Sequence, residues 1–143
     1  MDPDTYRVLL VDDHQMLIDG LARILEGEVK IGDVLKVNSG ADALRVLQEQ
    51  TIDLLISDME MPNMNGLELV TKAKEMRPFL KVLIISMYGD KQLIQKMMKL
   101  GADGYVLKSS SEEEIILAVA QILIGRKNNS NSLKHENTNG LPW

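Results

Sequence analysis

Five short apolar runs alternate with amphipathic stretches along most of this chain of 143 residues. Apolar runs of about four to eight residues predict buried strands, and apolar residues spaced three or four apart predict helices. The predicted strands are residues 6–11, 34–37, 52–57, 81–86 and 104–107. The predicted helices are residues 14–25, 40–48, 66–76, 90–100 and 112–124. This alternation restricts the chain to the α/β fold class.

A helix lies between each predicted strand and the next, so every connection is a crossover. Crossovers of this kind are right-handed, and they produce parallel strands with helices on both faces of the sheet. The third run, IDLLIS at residues 52–57, is apolar nearly throughout, as expected for a strand that is covered on both faces. We therefore predict a doubly wound (βα)5 fold with a five-stranded parallel sheet.

Helix-capping residues support several of these boundaries. Asn65 with Glu68, and Ser111 with Glu114, have the spacing of capping boxes at the starts of the third and fifth helices. Gly101 stands where a glycine commonly ends a helix, after the fourth one. These signals predict that the helices begin and end close to the limits given by the apolar spacing.

The composition excludes several classes of protein. A net charge of −5 argues against nucleic-acid binding by this chain itself, because such binding depends on neutralising phosphates with Lys and Arg. The absence of cysteine excludes disulfides and thiolate metal sites. No apolar run approaches the roughly 18 residues of a membrane span, and the N-terminus does not resemble a signal peptide. We expect a soluble cytoplasmic protein without membrane contacts.

The character of the sequence changes after Gly125. The following residues are rich in Asn, Ser and Gly and lack apolar periodicity. We predict one ordered domain over residues 1–126, followed by a disordered tail or the start of a linker over residues 127–143.

Chemically active side chains follow the ends of the predicted strands. Asp12 and Asp13 follow the first strand, Asp58 the third, Ser86 ends the fourth, and Lys108 follows the fifth. Ligands of open α/β sheets bind at the carboxyl ends of the strands. The carboxylates, the hydroxyl and the amine are therefore expected to meet at one edge of the sheet.

Three clustered carboxylates require a cation. At about 5 Å and an effective dielectric constant of about 20, each pair repels by about 3 kcal/mol. Oxygen ligands with room for water favour Mg²⁺. Each acid taken singly has an ordinary structural explanation: Asp13 could be a helix N-cap and Asp58 a turn residue. The prediction of a cation site therefore depends on the placement of all these groups together.

The motifs VLLVDDH, LLISDMEMPNMNGLEL, VLIIS and GADGYVLK occur in this order, each at a strand end. In these motifs the sequence resembles the response regulator receiver domains of two-component systems, over roughly residues 7–126. The resemblance implies a flavodoxin-like sheet with the strand order 2-1-3-4-5.

The resemblance also implies roles for the site residues. Asp58 would accept a phosphoryl group from a phosphohistidine of a sensor histidine kinase. Asp12, Asp13, Asp58 and the backbone carbonyl of Glu60 would hold Mg²⁺, for which Mn²⁺ can substitute. Lys108 would pair with the phosphoryl oxygens. The chain would be a phosphoacceptor switch and not an enzyme, supporting only its own phosphotransfer and slow autodephosphorylation.

Two further residues would transmit the signal. By resemblance, the Ser86 hydroxyl would bond the phosphoryl group, and Tyr105 would occupy the aromatic switch position on the fifth strand. From composition alone, Tyr105 would be an ordinary half-buried strand residue. His14 follows the acid pair and is interpreted as a surface residue of the first helical turn, because no His or Cys partner stands nearby in the sequence.

Ser109 stands where many receivers have a proline. This serine and the opening VDDHQMLIDGL resemble the NarL/LuxR-type branch of transcriptional regulators, which continue into a helix-turn-helix DNA-binding domain. No such domain is evident after Gly125. Two alternatives remain open: a receiver excised from a longer DNA-binding regulator, which is favoured, or a stand-alone regulator that acts through protein–protein contacts. Phosphorylation could also induce a homodimer.

Three other functions have weaker support. An aspartyl-phosphate phosphatase would need a D-x-D pair after the first strand, whereas the acids here are adjacent. A flavin- or nucleotide-binding module would need a Gly- or Ser/Thr-rich phosphate loop where VDDHQM places acids. A receiver-like scaffold without phosphoryl transfer usually lacks an acid or the lysine, and this chain keeps them all.

Overall fold

The computed structural model describes residues 4–128. Its strands are β1 (Tyr6–Val11), β2 (Ile31–Val37), β3 (Leu54–Asp58), β4 (Lys81–Ser86) and β5 (Gly104–Leu107). Its helices are α1 (Gln15–Glu26), α2 (Gly40–Glu49), α3 (Gly66–Met76), α4 (Lys91–Lys99) and α5 (Glu112–Asn128). Strands and helices alternate as predicted.

The strands form one parallel sheet in the order β2-β1-β3-β4-β5, which confirms the predicted fold class and strand order. Val11 is in register with Ser57, Asp58 with Ile85, and Ser86 with Leu107. The carboxyl ends of β1, β3, β4 and β5 therefore lie at nearly the same level of the sheet, and the residues that follow them share one edge.

Alternate strand residues point to opposite faces, and this builds two apolar layers. One layer packs strand residues against α1 and α5, and the other packs them against α2, α3 and α4. The strand side chains of the first layer include Val8, Leu10, Leu54, Ile56, Leu83 and Ile85. Those of the second include Leu9, Val11, Leu55, Val82 and Ile84. The central strands are covered on both faces, which makes the sheet edge at their carboxyl ends a rigid platform for a site.

Several element boundaries differ from the prediction; β2, for example, begins at Ile31 and not at residue 34, and two of the differences bear on the site and the tail. Strand β3 includes Asp58 as its last residue, so this carboxylate projects from the ladder itself and not from the loop beyond it. Helix α5 passes through Gly125 and ends at Asn128, which extends it into the segment predicted as tail. An added Cβ at Gly125 would meet nothing within 4 Å, and a single interior glycine costs a helix only about 1 kcal/mol. The remainder of the predicted tail, residues 129–143, lies outside the described residues.

Helix caps fix the loops that border the sheet edge. At α5, the Ser111 hydroxyl accepts from the Glu114 N–H at 3.1 Å and the Glu114 carboxylate accepts from the Ser111 N–H at 2.8 Å, which confirms that capping box. At α3, the Asn65 side chain accepts from the Glu68 N–H at 3.0 Å, but the Glu68 carboxylate pairs with Lys72 at 3.1 Å. The capping box predicted at α3 is thus only half formed. Among residues 4–128, no helix combines the length and the apolar character needed to cross a membrane.

Candidate functional site

Asp58 lies at the centre of the carboxyl edge of the sheet and is 2% exposed. Its Oδ1 lies 3.0 Å from Lys108 Nζ and accepts the backbone N–H of Glu60 at 3.3 Å. Its Oδ2 is buried without a hydrogen-bond partner. A buried carboxylate oxygen without a donor is costly. The second oxygen of Asp58 is therefore available to a ligand.

The acid pair that follows β1 stands beside Asp58. Asp12 is buried, whereas Asp13 is exposed. One carboxylate oxygen each from Asp12, Asp13 and Asp58, together with one ring nitrogen of His14, lie within 4.8 Å of one another. The structure thus brings together the three acids that the sequence placed at the ends of the first and third strands. His14 is exposed, as expected of a surface residue, but its ring also belongs to this cluster, which the sequence did not predict.

Burial controls the protonation of Asp58. Removal from water raises the pKa of this carboxyl from 3.8 to about 6, and the negative charge of Asp12 adds to the rise. The hydrogen bond and positive charge of Lys108 and the Glu60 N–H act in the opposite direction but do not outweigh burial. At neutral pH the group is an anion held in an unfavourable environment, and a bound cation would relieve that cost.

Lys108 supplies positive charge next to Asp58. Burial on its own would lower the pKa of Lys108, but the hydrogen bond and charge of Asp58, with the charges of Asp12 and Glu60, hold it above the ordinary value. The lysine therefore stays protonated. Its backbone N–H donates to the Ser86 carbonyl at 2.8 Å, which ties the residue after β5 to the end of β4.

Ser86 is fully buried and already has partners. Its hydroxyl donates to Glu60 Oε2 at 2.6 Å and accepts the Tyr88 N–H at 3.1 Å. The other carboxylate oxygen of Glu60 accepts the Met87 N–H at 3.4 Å. The Glu60 side chain therefore joins the loop after β3 to the loop after β4. The sequence did not predict these contacts of the Glu60 side chain.

Tyr105 is half-buried on β5, and its hydroxyl donates to the backbone carbonyl of Tyr88. Because the Tyr88 N–H binds Ser86, one residue of the β4–α4 loop contacts both predicted switch residues. A movement of the Ser86 hydroxyl and a movement of the Tyr105 ring are thereby connected through this loop.

The loop after β3 packs close to the end of that strand, and two of its positions restrict which residue types fit. A Cβ on Gly66 would lie 2.9 Å from the Asp58 carbonyl oxygen and 2.9 Å from the Met59 Cα, both backbone atoms. Only glycine lets α3 begin this near to Asp58. Asn63 adopts a positive φ of 70°, a conformation that asparagine tolerates better than most residues.

The donor set fits a small divalent cation. Carboxylate oxygens are the ligands that Mg²⁺ prefers, and the cluster includes a carboxylate oxygen of Asp58, the residue whose Oδ2 has no partner. An ion there would be held by Asp12, Asp13 and Asp58. The participation of the Glu60 carbonyl stays a prediction.

Comparison with known proteins agrees with the fold and the motifs. The family described as the response regulator receiver domain matches residues 8–120. Response regulator UvrY of Escherichia coli strain K12 is 32% identical over 120 residues, covering 84% of this chain and 55% of UvrY. Oxygen regulatory protein NreC of Staphylococcus epidermidis is 34% identical over 120 residues, covering 83% of this chain and 55% of NreC.

Solved structures give the same result. A LuxR-family two-component response regulator from Aurantimonas superposes with a TM-score of 0.81 at 31% identity, covering 85% of this chain and 87% of that chain. A CheY-like receiver domain protein from Methanospirillum hungatei has a TM-score of 0.81 at 25% identity, covering 88% and 99% of the two chains. The chain belongs to the response regulator receiver domain family, and its relatives confirm the NarL/LuxR-type branch. It spans about half the length of the curated relatives UvrY and NreC.

Proposed function

We propose that this chain is a phosphorylation-activated switch whose phosphoacceptor is Asp58. The donor would be a phosphohistidine on a sensor histidine kinase, and the ion that assists would be Mg²⁺. The observation that carries the proposal is the Asp58 carboxylate, which is buried beside Lys108 and two further acids with one oxygen partnerless. Labelling by a small acyl phosphate donor tests it. The cytoplasmic location expected from the sequence stays a prediction.

The transfer needs a nucleophile held in place and an electrostatic partner for the phosphoryl group. A lone pair of an Asp58 carboxylate oxygen would form the new P–O bond. The P–N bond of the phosphohistidine would break, and its electron pair would stay on the leaving imidazole nitrogen. The product is an acyl phosphate on Asp58. A divalent ion bound by Asp12, Asp13 and Asp58 would offset the negative charge of the transferring group.

Activation would follow from new acceptors beside Ser86 and Lys108. A phosphoryl group on Asp58 adds negative charge and strong hydrogen-bond acceptors. To donate to it, the Ser86 hydroxyl must leave the Glu60 carboxylate that it now binds at 2.6 Å. Its departure also breaks the contact with the Tyr88 N–H, and Tyr88 in turn accepts from Tyr105. This chain of contacts connects the site to the surface of α4, β5 and α5, where we place the readout.

Lys108→Ala is expected to leave phosphorylation of Asp58 possible while abolishing its effect on the rest of the domain. The lysine would contact the phosphoryl oxygens only after transfer, so its loss removes a differential interaction between the two states. Phosphorylation-dependent dimerisation, measured by light scattering before and after acetyl phosphate, should disappear. Lys72→Ala, which removes an exposed ion pair with Glu68, is the matched control. Dimerisation equal to wild type in Lys108→Ala would contradict the role of Lys108.

Glu60→Ala is expected to favour the active arrangement, because the Ser86 hydroxyl loses its acceptor in the inactive one. A charge-assisted hydrogen bond contributes about 1.5 kcal/mol or more, which corresponds to about tenfold in the equilibrium between the two states. Beryllofluoride mimics the phosphoryl group and is titrated in the presence of Mg²⁺. The beryllofluoride concentration needed for half-saturation should fall by about that factor. Glu26→Ala at the end of α1 serves as the control. An unchanged or increased concentration would show that the Glu60–Ser86 bond does not restrain the switch.

We also propose that the switch regulates a DNA-binding output domain. The support is the relationship to proteins such as transcriptional regulatory protein DegU of Brevibacillus brevis, of which this chain covers 50% at 30% identity. A stand-alone regulator that acts through protein–protein contacts is the alternative. The complete reading frame distinguishes them: a helix-turn-helix segment after Trp143 is expected, and a stop codon there would favour the alternative.

A further inference from the structure

His14 occupies a position that the proposed switch does not use. It is the N-cap residue of α1, yet its side chain makes no cap hydrogen bond. Its Nδ1 lies 3.3 Å from Asp12 Oδ1 and 3.4 Å from Asp13 Oδ1. The side chain is 67% exposed, so the ring covers the acid pair from the solvent side. A capping role does not explain this orientation.

The backbone of His14 is fixed by the same carboxylate that its ring contacts. Its N–H donates to Asp12 Oδ1 at 2.9 Å, and its carbonyl accepts the N–H groups of Leu17 and Ile18 in the first turn of α1. Helix α1 is anchored in turn by the burial of Ile18. The ring is therefore attached to a rigid element at one side of the acidic cluster.

One ring nitrogen of His14 and three carboxylate oxygens, from Asp12, Asp13 and Asp58, lie within 4.8 Å of one another, and Nδ1 is the ring atom that faces Asp12 and Asp13. Ligands of one metal ion at about 2.1 Å from it stand roughly 3 to 4 Å apart, so small side-chain adjustments would bring these atoms around one ion. The buried, partnerless Oδ2 of Asp58 independently indicates that a ligand belongs at this place.

An imidazole nitrogen changes which metals such a site favours. Mg²⁺ prefers oxygen ligands, whereas imidazole suits Zn²⁺ and its neighbours in the first transition row. We propose that His14 Nδ1 is an additional ligand that enables the acidic site to bind Zn²⁺-class ions in competition with Mg²⁺. The inference rests on the proposed function, in that it takes the acidic cluster to be a metal site. It adds a residue that determines metal selectivity.

His14→Gln tests the inference on the whole chain. The expected result is a Zn²⁺ affinity about 10- to 100-fold weaker than that of wild type, the range associated with loss of groups that support a metal site. The Mg²⁺ affinity should change by less than about twofold, because Mg²⁺ relies on the oxygens. Both affinities are measured by isothermal titration calorimetry in one buffer at one pH. His135→Gln, which removes the only other histidine of the sequence, is the matched control and should leave both affinities unchanged.

A second measurement reports on the ligand itself. Zn²⁺ is diamagnetic, so the ring-nitrogen resonances of His14 stay observable by NMR when the ion binds. The Nδ1 resonance should shift on addition of Zn²⁺ and not on addition of Mg²⁺, and Asp58→Asn should weaken the binding of both ions. An unperturbed His14 ring at saturating Zn²⁺, or equal losses of Zn²⁺ and Mg²⁺ affinity in His14→Gln, would overturn this inference alone. If the wild-type protein bound neither Zn²⁺ nor Mg²⁺, both this inference and the proposed function would be contradicted.

Discussion

Asp58→Asn is expected to abolish labelling of the protein by acetyl phosphate and Mg²⁺. The amide has nearly the shape of the carboxylate but offers no anionic oxygen to form a P–O bond. Removing a nucleophile of this kind costs about 10³-fold or more in rate, even when the rest of the site is intact. The fold should persist, because Asn fits the volume of Asp58 at the end of β3. Incorporation is measured by mass spectrometry of the intact chain after a fixed reaction time.

Asp42→Asn is the control for that experiment. Asp42 lies in the first turn of α2, away from the site, and pairs with Arg45 on the surface at 2.7 Å. The Asp42→Asn variant should be labelled by acetyl phosphate at the wild-type rate. Chelation of divalent ions should slow labelling of both wild type and Asp42→Asn. Labelling of Asp58→Asn at the wild-type rate would move the phosphoacceptor to another carboxylate, with Asp12 and Asp13 the nearest candidates.

The convergence of the site could be predicted from the sequence because parallel strands impose it. Asp12, Asp58, Ser86 and Lys108 stand at or just after strand ends, and the register of the sheet brings these ends to one level. The apolar runs alone identified the strands, and the alternation with helices determined their direction. No information about side-chain conformation was needed to expect these groups at one edge.

The contacts of loop side chains could not be predicted in the same way. Nothing in the spacing of Glu60 indicates that its carboxylate reaches across to Ser86, because a loop has no period that fixes side-chain direction. His14 was judged by the lack of His or Cys neighbours in sequence, whereas its contacts are carboxylates. The acids beside His14 in VDDH were the available signal, since an imidazole next to two carboxylates can share their ligand.

The end of α5 illustrates a different limit. The fifth helix is predicted to end at residue 124, just before Gly125, yet it continues to Asn128. A glycine ends a helix when the backbone turns to positive φ, as it does at Gly101, with a φ of 113°. Sequence alone does not tell which of the two glycines makes that turn.

The same substitution, Asp58→Asn, is expected to stabilise the metal-free protein at pH 8 by about 1 to 3 kcal/mol. Burial raises the pKa of Asp58 from 3.8 to about 6, so ionisation of this group costs the folded state stability increasingly from pH 3.8 to about 6, and the full cost applies at pH 8. Two pKa units correspond to about 3 kcal/mol at most. The pKa of about 6 already includes the opposing effect of the ion pair with Lys108, so this estimate is net of that pair.

The sign of the pH dependence follows from linkage. Between pH 3.8 and about 6 the folded state binds more protons than the unfolded state, so wild-type stability rises relative to the variant as the pH falls through this window. The advantage of Asp58→Asn should therefore be full at pH 8 and largely lost near pH 4. Urea unfolding with a chelator at several pH values measures it, and Asp42→Asn should differ from wild type by less than about 1 kcal/mol.

Saturating Mg²⁺ should reverse the ranking of the two proteins at pH 8. An ion that binds only the folded state stabilises that state by an amount that grows with the logarithm of the ion concentration divided by the Kd. This stabilisation should be larger for the wild-type protein, because it keeps all three carboxylates. A metal-free Asp58→Asn less stable than wild type at pH 8 would mean that the ion pair with Lys108 outweighs burial. Asp58 would then be an anion stabilised by Lys108 in the folded protein. The unfavourable burial energy that favours cation binding in the proposed switch would be absent.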